Sequence, residues 1–305
     1  MQKRFIRGAA IAAVGALTLA GCAAAGDDEA PEGTEGTATT DQTDLTIGVF
    51  NGWPEGEAVS YLWEAILEEQ GYDVELEYAD AGPVFAGLAG GDYDVALDGW
   101  LPMTHASYME EFGAELIDLG AWNEDAVLTM AVNEDAPITS IEELADNADA
   151  FGNRIVGIEP GAGLTAATQD EVIPTYGLEG MEFVTSSTPA MLAELSSAID
   201  AGDNVVVTLW RPHWAYDEFA IRDLEDPEGT LGEAEGIHSI ARAGFDADFP
   251  QLQTWLEAFA MDSELLFSLE NAMFNSDVEA SDYPEVVETW ISENQEYVDG
   301  LTATS

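Results

Sequence analysis

Leu45-Thr46-Ile47-Gly48-Val49-Phe50, followed by Asn51-Gly52-Trp53-Pro54, is the stretch on which the fold turns. It is a short apolar run stopped by a turn dipeptide, which predicts a strand with a sharp exit. Just beyond it, Val59, Leu62, Trp63, Ile66 and Leu67 recur at the spacing of one helix face, and Gly71 closes the pattern. Tyr72 to Tyr78 then alternates as a second strand. Working outward, a short helix over 84–88 leads to a strand over 93–97. Further strands are predicted over 126–132, 155–158, 182–185 and 205–209. After about Asp246 the spacing is helical only, through Leu252, Trp255, Leu256 and Phe259. Repeated β-α-β units predict an α/β fold of parallel sheets covered by helices, and no internal repeat is found. Two such lobes with a helical tail suit a hinged binding protein, whose ligands sit beyond the carboxyl ends of strands.

The chain has 305 residues, 61 of them acidic against seven Lys plus Arg. Lys3, Arg4 and Arg7 precede the single cysteine, Cys22, and no acid does. The remainder therefore carries 61 acids against only Arg154, Arg211, Arg222 and Arg242, a net charge of −57. Such a surface repels phosphate backbones and anionic headgroups, which excludes nucleic-acid binding. Disorder is not implied, because 47% hydrophobic and 10% aromatic residues are ample for a core. One cysteine allows neither an internal disulfide framework nor a Cys-based zinc site.

The basic start, the apolar run Gly8 to Leu19 and the small residues Ala20 and Gly21 have the layout of a secretory signal peptide, 1–21. Leu19-Ala20-Gly21-Cys22 resembles a bacterial lipobox, which implies acylation of Cys22 and a lipid anchor on the outer face of the cytoplasmic membrane. Residues 22–43, rich in Ala, Gly, Thr and acids, read as a flexible tether. Outside the membrane the acid excess also suits saline surroundings, where counterions screen self-repulsion.

Four predicted strands end in distinctive sequence. Asn51-Gly52-Trp53-Pro54 follows the first. Asp98-Gly99-Trp100-Leu101-Pro102 with His105 follows the strand over 93–97. Glu159-Pro160-Gly161-Ala162-Gly163-Leu164 follows that over 155–158, and Trp210-Arg211-Pro212-His213-Trp214 follows that over 205–209. Singly, a tryptophan belongs in a core, where Trp63, Trp255 and Trp290 are expected. Three at strand ends beside Gly or Pro instead suggest a pocket. Several indoles around one cavity suit a quaternary ammonium, which has no N–H to donate but is attracted to ring faces by roughly 0.5–2 kcal/mol each. The Gly161-Ala162-Gly163 turn before a helix favours an anion. A cage for N⁺ opposite a nest for carboxylate describes a small zwitterion.

From about Leu45 to Phe274 the chain resembles the substrate-binding proteins of glycine betaine ABC transporters. The resemblance is carried by the Asp98–Pro102 motif with His105, by Gly157-Ile158-Glu159-Pro160-Gly161-Ala162-Gly163 and by Trp210-Arg211-Pro212-His213-Trp214. Asp226-Pro227, Ile237-His238-Ser239-Ile240 and Gly244-Phe245 continue it in the same order. It implies a two-lobed, Venus-flytrap fold of the type II periplasmic-binding-protein class, with lobe 1 at 44–130 plus 238–305 and lobe 2 at 131–237. It implies a cation cage of Trp53, Trp100 and Trp210, and carboxylate contacts from the Gly163 and Leu164 amides and the His105 side chain. The implied partners are a betaine-type osmoprotectant and an ABC permease with its ATPase.

Three further residues have two readings each. Glu55 either assists a cation or hydroxyl in the site, or is solvated surface. His213 and Trp214 either line the mouth or pack the loop behind Trp210. Only Arg211, among the four arginines, is expected beside the site. Gly161-Ala162-Gly163-Leu164-Thr165-Ala166 also fits a loose dinucleotide pattern, but no acid ends the next strand. Three scattered histidines and the absence of a serine elbow call for no metal, cofactor or catalytic role. An enzyme acting on quaternary amines and a non-transport betaine sensor are the competing classes, and choline is the rival ligand.

Overall fold

The computed structural model describes residues 42–274 and 278–303, so the leader, Cys22 and most of the tether lie outside the described residues. β1 (Asp44–Phe50) and β2 (Asp73–Ala79) pair in parallel along all seven residues. The helix Pro54–Glu69 joins them, with Pro54 in its first turn, where proline's fixed φ and missing N–H cost nothing. Its predicted stripe of Val59, Leu62, Trp63, Ile66 and Leu67 is buried throughout. Gly71 turns the chain into β2 at φ +92°, a conformation that disfavours any residue with a Cβ. The helix Ala81–Gly90 leads to β3 (Val95–Leu101), parallel to β1.

The strand β4 (Leu116–Asn133) runs for 18 residues and belongs to two sheets. Up to Ala126 it pairs antiparallel with β9 (Glu235–Arg242), which in turn lies antiparallel to β3. From Val127 to Val132 it pairs antiparallel with β7 (Val206–Arg211), and its end also meets β8 (Ile221–Asp223). β5 (Arg154–Val156) lies parallel to both β7 and β6 (Glu182–Val184). The strand path is therefore β2-β1-β3-β9-β4-β7-β5-β6, with β8 beside β4.

The expectation of purely parallel sheets is corrected by this topology. β4 and β9 carry the chain from one half to the other and back, and each lies antiparallel to its neighbours. The change of sheet falls at Ala126/Val127, and β9 meets β4 from Glu235 onward. β4 escaped the sequence reading over its first half because its register with β9 slips three times between Asp118 and Ala126, which destroys regular alternation.

After β9 the chain is helical, with longer helices at Pro250–Ala258, Ser263–Phe274 and Tyr283–Glu293. Ser263–Phe274 and Tyr283–Glu293 pack on the Pro54–Glu69 helix. Phe259 joins the helical tail to the sheet, with its ring edge-on to Trp63 at 5.3 Å and stacked on Trp122 at 5.4 Å. Trp63, Trp255 and Trp290 are buried in the core, as their helical spacing predicts. Phe259→Ala should cost about 3–5 kcal/mol, as for other buried Phe truncations. Urea unfolding checks this, and a loss under about 1 kcal/mol would show that the tail is not part of the core.

Candidate functional site

The ends of β1, β3 and β7 and the loop after β5 converge on one cavity. Trp53 stands between β1 and its helix, whereas Trp100 and Trp210 are the penultimate residues of β3 and β7. The last two therefore lie inside the strands rather than in the loops after them, so sheet hydrogen bonds fix their backbones. The three indoles, Glu55, Thr104, His105, Leu128, Ile158, Ala162, Gly163 and Leu164 line about 260 Å³ between the walls. All six residues expected to form the cage and the carboxylate contacts are thus brought together, and Glu55 joins them.

Trp53 lies nearly parallel to the rings of Phe50 and His105, with centroids at 5.0 and 5.5 Å, and meets Trp210 at 6.4 Å and 63°. His105 is folded back on Trp100: its N–H donates to the Trp100 carbonyl at 3.0 Å, and its Nδ1 accepts the Trp100 N–H at 2.9 Å. With Nδ1 an acceptor, the ring proton sits on Nε2, which is buried and has no partner. Burial lowers the His105 pKa to about 3, so the ring is a neutral donor facing the cavity. The Met103 and Thr104 N–H groups donate to the Glu235 carboxylate at 2.9 and 3.1 Å, and the Thr104 hydroxyl donates to it as well. Across the cavity, Gly163 opens the helix Gly163–Ala167, whose first N–H groups have no intrahelical acceptor. A Cβ on Gly163 would fall 2.2 Å from the Thr104 carbonyl oxygen, so only glycine fits this approach.

Of the residues with two readings, the structure favours one for Glu55, His213 and Trp214, and it corrects the placement of Arg211. Glu55 is not solvated surface: it is 1% exposed. Burial raises its pKa to about 8, although the indole N–H groups of Trp210 and Trp100 draw it part of the way down. His213 does not line the cavity. It packs edge-on against Trp210 at 4.8 Å, its Nδ1 accepts the Ala215 N–H at 3.1 Å, and burial lowers its pKa to about 3. Trp214 lies beyond it, against His213 and Phe219. Arg211 turns away to Asp223 at 2.7 Å and over the Tyr216 ring at 3.5 Å.

Sequence reasoning missed the acids that accompany the indoles. Asp98 accepts the Trp100 Nε1–H at 2.9 Å, and Glu159 accepts the Trp53 Nε1–H at 2.5 Å while also accepting from the Thr188 N–H and hydroxyl. Burial raises the pKa of Asp98 and Glu270 well above the usual carboxylate range, with the Glu55 charge adding to both. Asp98 and Glu159 each open a motif whose sequence signal is its Trp or Gly. Among the described residues no group of three or more His, Cys, Asp or Glu is placed to hold a metal ion.

Residues 43–293 match the family described as the substrate-binding domain of ABC-type glycine betaine transport systems. The chain belongs to this family. Its members are extracytoplasmic solute-binding components of ABC transporters, which decides against the enzyme reading. The glycine betaine/carnitine transport binding protein GbuC of Listeria monocytogenes serotype 1/2a (strain 10403S) is 34% identical over 155 residues, 50% of either chain, so the chain spans about half the length of that relative. Lactococcal OpuAC, in its closed-liganded conformation with glycine betaine, superposes with a TM-score of 0.79 at 28% identity over 86% of this chain and 100% of that one. The glycine betaine, L-proline-binding protein ProX of Borrelia burgdorferi gives 0.78 at 29% identity, over 84% and 95%. The fold is accordingly the α/β periplasmic-binding-protein fold, here with mixed sheets. No helix among the described residues is long and apolar enough to cross a membrane.

An unfolded glutamate ionises near 4.5, whereas buried Glu55 holds its proton to about 8. The folded protein therefore binds more protons across that window, and this group makes stability fall as pH rises through it. Glu55→Gln should flatten the fall in the urea midpoint between about pH 5 and pH 8. An unchanged pH profile would place the titrating group elsewhere.

Proposed function

We propose that this protein captures glycine betaine or a related quaternary-ammonium osmoprotectant in the cavity and delivers it to an ABC permease and, through it, to the ATPase. The observation that carries this is the composition of one small cavity. Three tryptophans line it together with Gly163, Leu164 and His105, whose buried Nε2 has no partner. Ring faces attract a methylated cation by about 0.5–2 kcal/mol each, and they do so without asking it for a hydrogen bond. Neutral His105 and the helix N-terminus offer donors to a carboxylate without a competing fixed cation. Closing the lobes would exclude water from both ends of the zwitterion.

Calorimetry should detect glycine betaine binding, and Trp100→Ala and Trp210→Ala should each weaken it more than tenfold, about 1.4 kcal/mol per decade. No heat at millimolar betaine would sink the proposal. Retained affinity in both variants would leave the indoles structural.

Choline is the second reading, favoured by one observation: Glu55 is a buried acid in the cavity wall. It could meet a hydroxyl or balance a cation that brings no carboxylate. Competition between choline and betaine for one site separates the two.

The proposal extends to placement. A lipid on Cys22 would hold the receptor beside its permease on the outer face of the cytoplasmic membrane, with residues 22–43 as tether. Cys22→Ser should release the protein from the membrane fraction, and a protein that stays membrane-bound would rule out the anchor.

A further inference from the structure

Two of the three cage indoles donate their N–H to a buried carboxyl group. Trp53 Nε1 donates to Glu159 at 2.5 Å and Trp100 Nε1 to Asp98 at 2.9 Å. Trp210 Nε1 and Glu55 Oε2 are both buried without a partner in bonding geometry, yet the indole lies near enough to draw the Glu55 pKa down. The other buried tryptophans behave differently. Trp122 donates to the Leu97 carbonyl and Trp290 to the Ser268 hydroxyl, while Trp63 and Trp255 have no N–H partner. Among the described residues, carboxyl groups at an indole N–H are thus confined to the cage.

Among the described residues no arginine balances these acids. Arg154 binds Glu194, Arg211 binds Asp223, and Arg242 binds Asp94 and Asp248. Arg222 donates to the carbonyls of Glu134, Ala136 and Ile138. Glu55, Asp98 and Glu159 are only 1%, 1% and 6% exposed, so solvent screens them little.

We propose that the Glu159 carboxylate behind the cage, through the Trp53 N–H that it accepts, selects a ligand with a quaternary nitrogen over its carbon isostere. An N–H drawn toward a carboxylate pushes electron density onto the indole, which deepens the negative potential over the face that meets the cation. The carboxylate also attracts the cation directly through a medium of low dielectric constant. A carbon atom in place of the ligand nitrogen has the same shape and gains from neither effect. Glu159 has a second task, because it follows β5 while Trp53 follows β1, so its bond ties the two halves across the cavity. The inference rests on the betaine-receptor reading above.

The test compares glycine betaine with 3,3-dimethylbutanoate, its carbon isostere, by titration and by displacement on the full chain. Glu159→Gln, Asp98→Asn and Glu55→Gln are examined singly, with circular dichroism as a check on folding. The preference for betaine over the isostere should fall by about tenfold in Glu159→Gln, as expected if this acid sets about one decade of affinity, and should stay within about threefold in Asp98→Asn and Glu55→Gln, whose carboxyl groups burial holds protonated. Glu159→Asp, which keeps the charge, should recover part of it. If both ligands weaken together in Glu159→Gln and the preference stays within about threefold of the parent, the acid only holds the ring in place and the inference is overturned. A parent that binds the isostere as well as betaine also overturns it. A parent that binds no betaine sinks the receptor reading itself, and the inference with it.

Discussion

β4 hydrogen-bonds to both sheets, and the walls of the cavity are held in place through it. On one side it pairs with β9, and β9 pairs with β3, the strand that carries Trp100. On the other side it pairs directly with β7, the strand that carries Trp210. Leu128, just past the change of partner, is itself part of the wall. A strand shared in this way spaces two indoles by backbone hydrogen bonds while leaving each sheet its own set of helices.

Electrostatics gives that space its character. With 61 acids and four arginines after Cys22, carboxylates greatly outnumber the groups that could neutralise them. The arginines are all committed to acids or carbonyls away from the cavity, and the two histidines nearest the indoles are buried and neutral. Acids are buried around the cage without a cation, an arrangement that costs stability because desolvation opposes their ionisation. A protein tolerates such a cost where it serves binding. The same surplus explains why the donors that line the cavity are backbone amides and a neutral imidazole rather than lysine or arginine.

The predicted alternation of strands and helices holds wherever one face of an element is buried. The helix Pro54–Glu69, with its stripe of Val59, Leu62, Trp63, Ile66 and Leu67, is the clearest case. The pattern fails for β9 and the first half of β4, where bulges break the period of two and burial on both faces admits Glu235 and Ser239. At the site, Trp53, Trp100, Trp210 and Gly163 were legible because glycine, proline and indole clustered at strand ends, whereas His105 and Leu164 were implied by the resemblance to a family. Glu55, Asp98 and Glu159 were not: an acid in so acidic a chain carries no signal of burial, and only its neighbours across the fold supply one.

The sequence by itself determined most of the elements, the residues at their ends and the family, since hydrophobic period and local motif are properties of contiguous chain. Tertiary structure alone decided that β4 and β9 run antiparallel through the middle, that His213, Trp214 and Arg211 turn away from the cavity, and that buried carboxyl groups stand behind the indoles. Those outcomes depend on contacts between residues such as Trp53 and Glu159, 106 positions apart. Burial and hydrogen bonding across such distances are set by packing, and no local pattern encodes them.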